Sequence, residues 1–178
     1  MSARGGKAGR RRLGRVIAGV LLGAGAALGL VRTSGYELPP EVRQKLVFLA
    51  PWQYLVVAQL ARRIAAPDRA GVVSTDAVDV AGFVDGYVAR MVPGLRSDIG
   101  GLLGFVEHLA PVSAGFSSRF TRLGPEDQDR VLSWLEGADG LLAGAFDGLR
   151  ALIFMGYYSD PRTWSILGYE GPTLPEKR

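Results

Sequence analysis

An all-α fold is what this sequence predicts, on three observations. From Pro40 onward, apolar residues recur at spacings of three and four through most of the chain. Prolines stand at the starts of several of these runs, where a missing backbone donor does no harm. No run alternates apolar with polar residues or carries a hairpin signal of comparable quality. The expected architecture is a compact helical domain of five to six helices over residues 36–153. An N-terminal signal or anchor helix precedes it over 1–35, and an irregular aromatic segment follows over 154–178, with no internal repeat.

The elements follow in chain order. Pro39-Pro40, followed by EVRQKLVFLA, opens a short helix with Glu41 in its first turn, and Pro51 ends or restarts it. Trp52 to Ala66 is a second amphipathic run, with Trp52, Leu55, Val56, Leu60 and Ile64 on one side and Arg62 and Arg63 in its last turn. AAPDRAG supplies a loop. Ser74, Thr75 and Asp76 form an N-cap cluster before Val80, Val84, Tyr87, Val88 and Met91, a single helix that Pro93 closes. Leu95, Ile99, Leu102, Leu103, Val106 and Leu109 form the next helix, which ends before Pro111. After a polar turn at Ser117-Ser118, Pro125-Glu126-Asp127 starts the longest helical stretch, with Val131, Leu135, Ala138, Leu142, Ala145, Leu149 and Leu152 at helical spacing. Gly137, Gly140, Gly144 and Gly148 weaken it as one unbroken helix.

Charge is informative once the chain is divided. Of the 21 basic residues, seven lie in residues 1–32 together with none of the 17 acidic ones, so the remainder carries 14 against 17, a balance of −3. The high pI belongs to the N-terminal segment. The body offers only scattered arginines rather than the clustered basic surface that phosphate backbones require, which argues against nucleic-acid binding. With no cysteine, disulfides, thiolate catalysis, cysteine-ligated zinc and iron-sulfur clusters, and covalently attached c-type haem are excluded.

Arg10, Arg11, Arg12, Leu13, Gly14 and Arg15 precede the uncharged run Val16 to Val31. A basic region ahead of a short apolar run is the signature of an export signal. The Arg-Arg-x-Leu-Gly-Arg order resembles the twin-arginine motif, with Leu13 where Phe is commonest and no preceding Ser or Thr. That route carries proteins already folded. The apolar run of 16 residues is short for a membrane span, which favours a signal. Its one small-x-small cleavage candidate, Ala24-Gly25-Ala26, would leave a very short apolar core, so an uncleaved anchor stays open. The GxGxxxG pattern of Gly23, Gly25 and Gly29 is not a dinucleotide turn: no strand precedes it, and the first acidic residue, Glu37, comes too early.

At the other end, four of the chain's nine Tyr and Trp residues, Tyr157, Tyr158, Trp164 and Tyr169, fall within Phe154 to Pro172. Such side chains combine large apolar area with a polar tip, a composition suited to recognition. Pro161, Gly168, Gly171 and Pro172 fix the path of the backbone between them. The segment either presents these eight residues to a partner or folds back and closes the chain's own core.

Nothing in the sequence composes an active site. His108 is the only histidine, and no GxSxG, HExxH or Walker pattern gives it a partner. The carboxylates Asp79, Asp85, Asp98, Glu107, Glu126, Asp127, Asp129, Asp139 and Asp147 mostly occupy first turns or polar helix faces, where helix dipoles and solvation account for them.

Three stretches together resemble a known family. They are Leu55 to Ile64 leading to Pro67-Asp68; Val80 to Tyr87, VAGFVDGY, with Asp85 in an acidic place; and Phe120, Leu123, Arg130, Leu132, Phe146, Leu149 and Tyr157 running on to Trp164 and LGYEGP. This order resembles the small subunit of gluconate 2-dehydrogenase, the subunit 3 family, over about residues 48–172, and also the helical region before the flavin domain of fused long-chain alcohol oxidases. The closing W-x-x-[IL]-G-Y-x-G-P carries most of the specificity. Departures are the long Gly-rich signal and Ala65-Ala66 before Pro67. The resemblance implies a non-catalytic accessory subunit without a cofactor of its own. Its implied partner is an FAD-containing catalytic subunit of the glucose-methanol-choline (GMC) type, often exported through this subunit's twin-arginine signal to the periplasm or the periplasmic face of the inner membrane. Electrons in such complexes commonly pass to a cytochrome subunit or another membrane acceptor. The competing expectation is a membrane-anchored helical adaptor with no oxidoreductase partner.

Overall fold

The computed structural model describes residues 35–65 and 73–171, and the unit it describes opens at Tyr36. The basic leader and Val16–Val31, Pro67-Asp68 and Pro172 lie outside the described residues. Among the described residues there is no strand. Five helices have ten residues or more, as the apolar periodicity predicts.

Helix α1 (Pro40–Lys45) and α2 (Pro51–Ile64) each begin on a proline, and Gln53 Oε1 accepts the Ala50 N–H at 2.9 Å to complete the start of α2. The buried side of α2 is Val56, Val57, Leu60 and Ala61. It is turned from the expected side, since Leu55 is only half-buried and Val57 and Ala61 take its place. The reason is centrality: α2 packs against several other helices at once, so a wide face is covered rather than one narrow stripe.

The single helix expected after Ser74 is two. Ser74 caps α3 (Thr75–Val78), accepting from Ala77 N–H at 3.1 Å. Asp79 then takes a left-handed conformation (φ 55°, ψ 52°), ends α3 and caps α4 (Val80–Ala89) by accepting the Gly82 N–H at 3.0 Å. Aspartate is among the few non-glycine residues that tolerate this region, and its carboxylate bonds the next turn in return.

Helix α5 (Pro93–Gly104) does not end before Pro111. It widens into a π-helical turn, Phe105–Leu109, in which Ala110 N–H reaches back five residues to Phe105 O, and continues as α6 (Ala110–Ser113). A proline ring in a regular helix collides with the carbonyl four residues earlier, here that of Glu107, and the wider turn relieves that collision. Leu95 and Leu109, expected on the apolar side, are exposed. A 3₁₀ turn, Phe120–Arg122, leads to α7 (Pro125–Glu136), tied back by Gln128 Nε2 donating to Phe120 O at 3.1 Å.

The longest predicted stretch is likewise two helices. It breaks at Gly137–Asp139, and Gly140, with φ 64°, opens α8 (Gly140–Tyr158). Helix α8 runs five residues past the expected boundary at 153, so the irregular segment begins at Ser159. Phe146, Leu149, Leu152, Ile153 and Tyr157 of α8 close the core with Val80, Val84 and Val88 of α4. Gly156 is where α8 meets α4, because a Cβ there would lie 3.0 Å from Phe83 Cδ1 and 3.1 Å from Val80 Cγ1.

Candidate partner-binding surface

The last turns of α8 split the expected aromatic set by depth. Tyr157 is fully buried and its hydroxyl donates to Val73 O at 2.7 Å; burial pushes this phenol above its ordinary pKa. Tyr158 is half-buried, edge-on to Tyr157 with centroids 5.2 Å apart and stacked on Phe154 at 6.2 Å. Tyr157 is therefore a core residue and offers nothing to a partner in this conformation.

Beyond Ser159 the chain folds into a hook. Asp160 accepts from Arg162 N–H at 2.9 Å and caps the 3₁₀ segment Pro161–Leu167. The Arg162 guanidinium grips the same carboxylate, with Nη2 at 2.6 Å, and holds Asp160 below the usual carboxylate range. Arg162 Nη2 also donates to Ala77 O at 2.8 Å, linking the hook to α3. Thr163 is fully buried, and its hydroxyl donates to Asp160 O at 2.8 Å.

Trp164 turns back onto the end of α8, its indole N–H donating to Tyr158 O at 2.8 Å, which satisfies a carbonyl that the helix end would leave bare. Gly168 (φ 64°) reverses the chain, Tyr169 N–H reaches Trp164 O at 3.1 Å, and the two rings lie 5.2 Å apart. Gly171 (φ 112°) passes so close to the indole that a Cβ would lie 3.4 Å from Trp164 Cζ3. The hook shows to solvent both polar residues, Ser159, Arg162, Ser165 and Glu170, and Pro161, Leu167, Gly168 and Tyr169, with Leu167 60% and Tyr169 48% exposed. The structure thus unites Tyr158, Trp164, Tyr169 and Gly171 in one folded unit, with Pro161, Gly168 and Tyr169 on its outside.

Two carboxylates depart from the expected polar faces. Asp85 is buried and accepts three backbone N–H groups, from Val47 at 2.7 Å, Phe48 at 2.9 Å and Leu49 at 2.6 Å, so it shapes the turn between α1 and α2. Glu107 is fully buried. It accepts from the Tyr36 hydroxyl at 2.7 Å, the Thr121 hydroxyl at 2.6 Å and Thr121 N–H at 3.1 Å, and pairs with Arg119 at 3.5 Å. The Arg119 guanidinium also lies over the Tyr36 ring, 3.9 Å from its centroid. Burial, reinforced by the Glu107 carboxylate, pushes the Tyr36 phenol well above its ordinary pKa. These are structural ties, and every carboxylate lone pair they occupy is withdrawn from acid-base work.

His108 is half-buried beside Trp52, with ring centroids 6.1 Å apart, and burial lowers its pKa. No group of three or more His, Asp or Glu residues could hold a metal ion among the described residues. The sequence reading overlooked the outward side of α8, where Leu141 and Met155 are exposed. Extending the helical spacing to the side opposite Leu149 and Ile153 finds them.

No curated protein and no solved structure matches this chain. A model of one family, described as gluconate 2-dehydrogenase subunit 3, matches residues 51–171. The match begins at the first residue of α2 and ends at the glycine packed on Trp164. Covering more than half of the chain and all of the hook described here, it shows that the chain belongs to the gluconate 2-dehydrogenase subunit 3 family.

Proposed function

We propose that this protein is a non-catalytic accessory subunit that binds, stabilises and helps to export an FAD-dependent dehydrogenase or oxidase of the GMC type. The observation that carries the reading is the family match across residues 51–171, which names a subunit of a dehydrogenase. Two further features support it. The buried carboxylates are engaged by backbone amides, hydroxyls and an arginine, which suits a scaffold. The hook is tied back to α8 and α3 by hydrogen bonds and keeps Leu167 and Tyr169 outward, the amphipathic kind of surface that protein partners bury.

In this reading the catalytic subunit carries FAD and the substrate pocket, and a cytochrome or other membrane acceptor receives the electrons. The arginine-rich leader directs the assembled pair through the twin-arginine route to the periplasm or the periplasmic face of the inner membrane. The test is affinity purification of this chain from its native host, followed by absorbance and mass spectrometry. A large yellow flavoprotein in stoichiometric amount supports the proposal. A chain that is consistently monomeric and partner-free, from cells expressing all neighbouring genes, overturns it.

A further inference from the structure

Tyr36 is buried, yet it stands apart from the cluster of side chains that forms the hydrophobic core. Its neighbours Gly35 and Glu37 are exposed, and no residue from 37 to 48 is buried. Helix α1, within this stretch, has six residues, and a helix that short is marginal in water by itself. The side-chain ties that fasten the stretch lie at its two ends. Tyr36 holds one, and the carboxylate of Asp85 holds Val47, Phe48 and Leu49 at the other.

The Tyr36 end is held by a hydrogen bond and a charge. The Tyr36 hydroxyl donates to the fully buried Glu107 at 2.7 Å, and the Arg119 guanidinium covers its ring at 3.9 Å from the centroid. Glu107 does not depend on Tyr36 for its own satisfaction, because Thr121 supplies two donors, at 2.6 Å and 3.1 Å, and Arg119 an opposite charge. Opening the Tyr36 contact therefore frees the stretch without leaving the carboxylate bare. Glu107 lies 71 positions beyond Tyr36, and Arg119 further still. The contact forms only when the π-helical turn and the approach to the 3₁₀ turn have folded.

The consequence comes from where Tyr36 stands in the chain. It is five positions beyond Val31, the last residue of the leader's apolar run, whereas Val47 is sixteen beyond it. At about 3.6 Å per extended residue, the chain reaches about 18 Å from Val31 to its first fixed point with Tyr36 held, and about 58 Å with Tyr36 released. The family match begins at residue 51, so this stretch stands with the leader, ahead of the matched domain.

We infer that Tyr36 is a folding-dependent latch: closed on Glu107 and Arg119, it fixes the point at which the leader leaves the folded domain and shortens the free tether between them about three-fold. This rests on the export part of the proposed function. Chymotrypsin cuts after a tyrosine or phenylalanine only when that ring enters the protease's own pocket, so cleavage between residues 36 and 37 reports an open latch. Tyr36→Phe keeps a cleavable ring and loses the bond to Glu107. In the purified full chain, cleavage there is expected to rise about ten-fold over wild type, with the helical circular dichroism unchanged. Because the chain has no cysteine, Thr33→Cys/Ser117→Cys carries one pair of spin labels. Adding Tyr36→Ala is expected to broaden the distance distribution of this pair about two-fold. Cleavage of Tyr36→Phe at the wild-type rate, or a distance distribution that Tyr36→Ala leaves unchanged, overturns the inference. Loss of helical signal in Tyr36→Phe also overturns it, because Tyr36 would then hold the helices themselves. So does a mature chain from the native host that begins beyond Tyr36. If the wild-type chain is never exported, the export reading fails, and the cleavage rates and spin-label distances still decide the latch.

Discussion

Asp85 and Glu107 are carboxylates placed where water does not reach, and each is held by donors from distant parts of the chain. Removing such an acceptor leaves its donors bare, which costs more than the bond itself contributes. Asp85→Ala is expected to lower unfolding stability by about 2–3 kcal/mol. Asp85→Asn, which keeps one carbonyl oxygen for Phe48 and Leu49, is expected to cost about 1 kcal/mol, measured by urea denaturation. Tyr36 adds a pH dependence with a definite sign. A phenol whose pKa is higher folded than unfolded keeps its proton in the native state while the unfolded chain loses it. The stabilisation is complete below the ordinary phenol pKa, about 10, and is lost as pH rises above it. Tyr54, raised by burial and by its hydrogen bond to Asp79, has the same sign. The double variant Tyr36→Phe/Tyr54→Phe is therefore expected to lose less stability between pH 9 and 11 than the wild type does. An equally steep loss would contradict the assignment. None of this was legible in the sequence for Glu107, whose partners Tyr36, Arg119 and Thr121 lie 71, 12 and 14 positions away. For Asp85 the residue types suggested a solvated helix position, and the family resemblance marked an acidic place without giving the three amides that need it.

At the scale of elements, helical periodicity located the buried sides of α4 and α7, because a stripe that must be covered imposes a spacing of three and four. On α8 it found Leu149 and Leu152, while Leu142 and Ala145 are half-buried and Phe146, Ile153 and Tyr157 complete the buried side. It failed where local chemistry interrupts the helix. Asp79 breaks α3 from α4 by adopting a left-handed conformation that is open to aspartate but not signalled by its identity. Pro111 lies inside a helix that the sequence reading ended before it, since a π-helical turn absorbs the ring. Two glycine substitutions on α8 test the packing directly. Gly156→Ala drives a methyl against Phe83 and Val80 and is expected to destabilise by about 1–3 kcal/mol. Gly144→Ala, with open space around it, is expected to stabilise by up to about 1 kcal/mol. Calorimetric melting of both variants checks the pair, and destabilisation by Gly144→Ala would show that the outward side of α8 is packed within the chain.

For the whole molecule, the aromatic hook divides between holding the fold and facing outward. The sequence left open whether Trp164 and Tyr169 serve a partner or the chain's own helices, because residue types alone do not say which ring lies beneath the other. The geometry separates them: Trp164 is hydrogen-bonded to the end of α8 beneath Gly171, and Tyr169 lies outside it with nearly half its surface exposed. Trp164→Ala is expected to lower the melting temperature of the isolated chain, through lost packing and the bare Tyr158 carbonyl. Tyr169→Ala is expected to leave that temperature within a degree or two while weakening retention of the partner. The most direct test of the accessory-subunit role is the FAD content of the complex that a tagged wild-type chain recovers from its native host. One FAD-bearing GMC-type subunit per chain, absent when the chain is deleted from the cell and recovered when it is restored, is the expected result. A colourless, monomeric chain, with host flavoprotein dehydrogenase activity unchanged by the deletion, would contradict it.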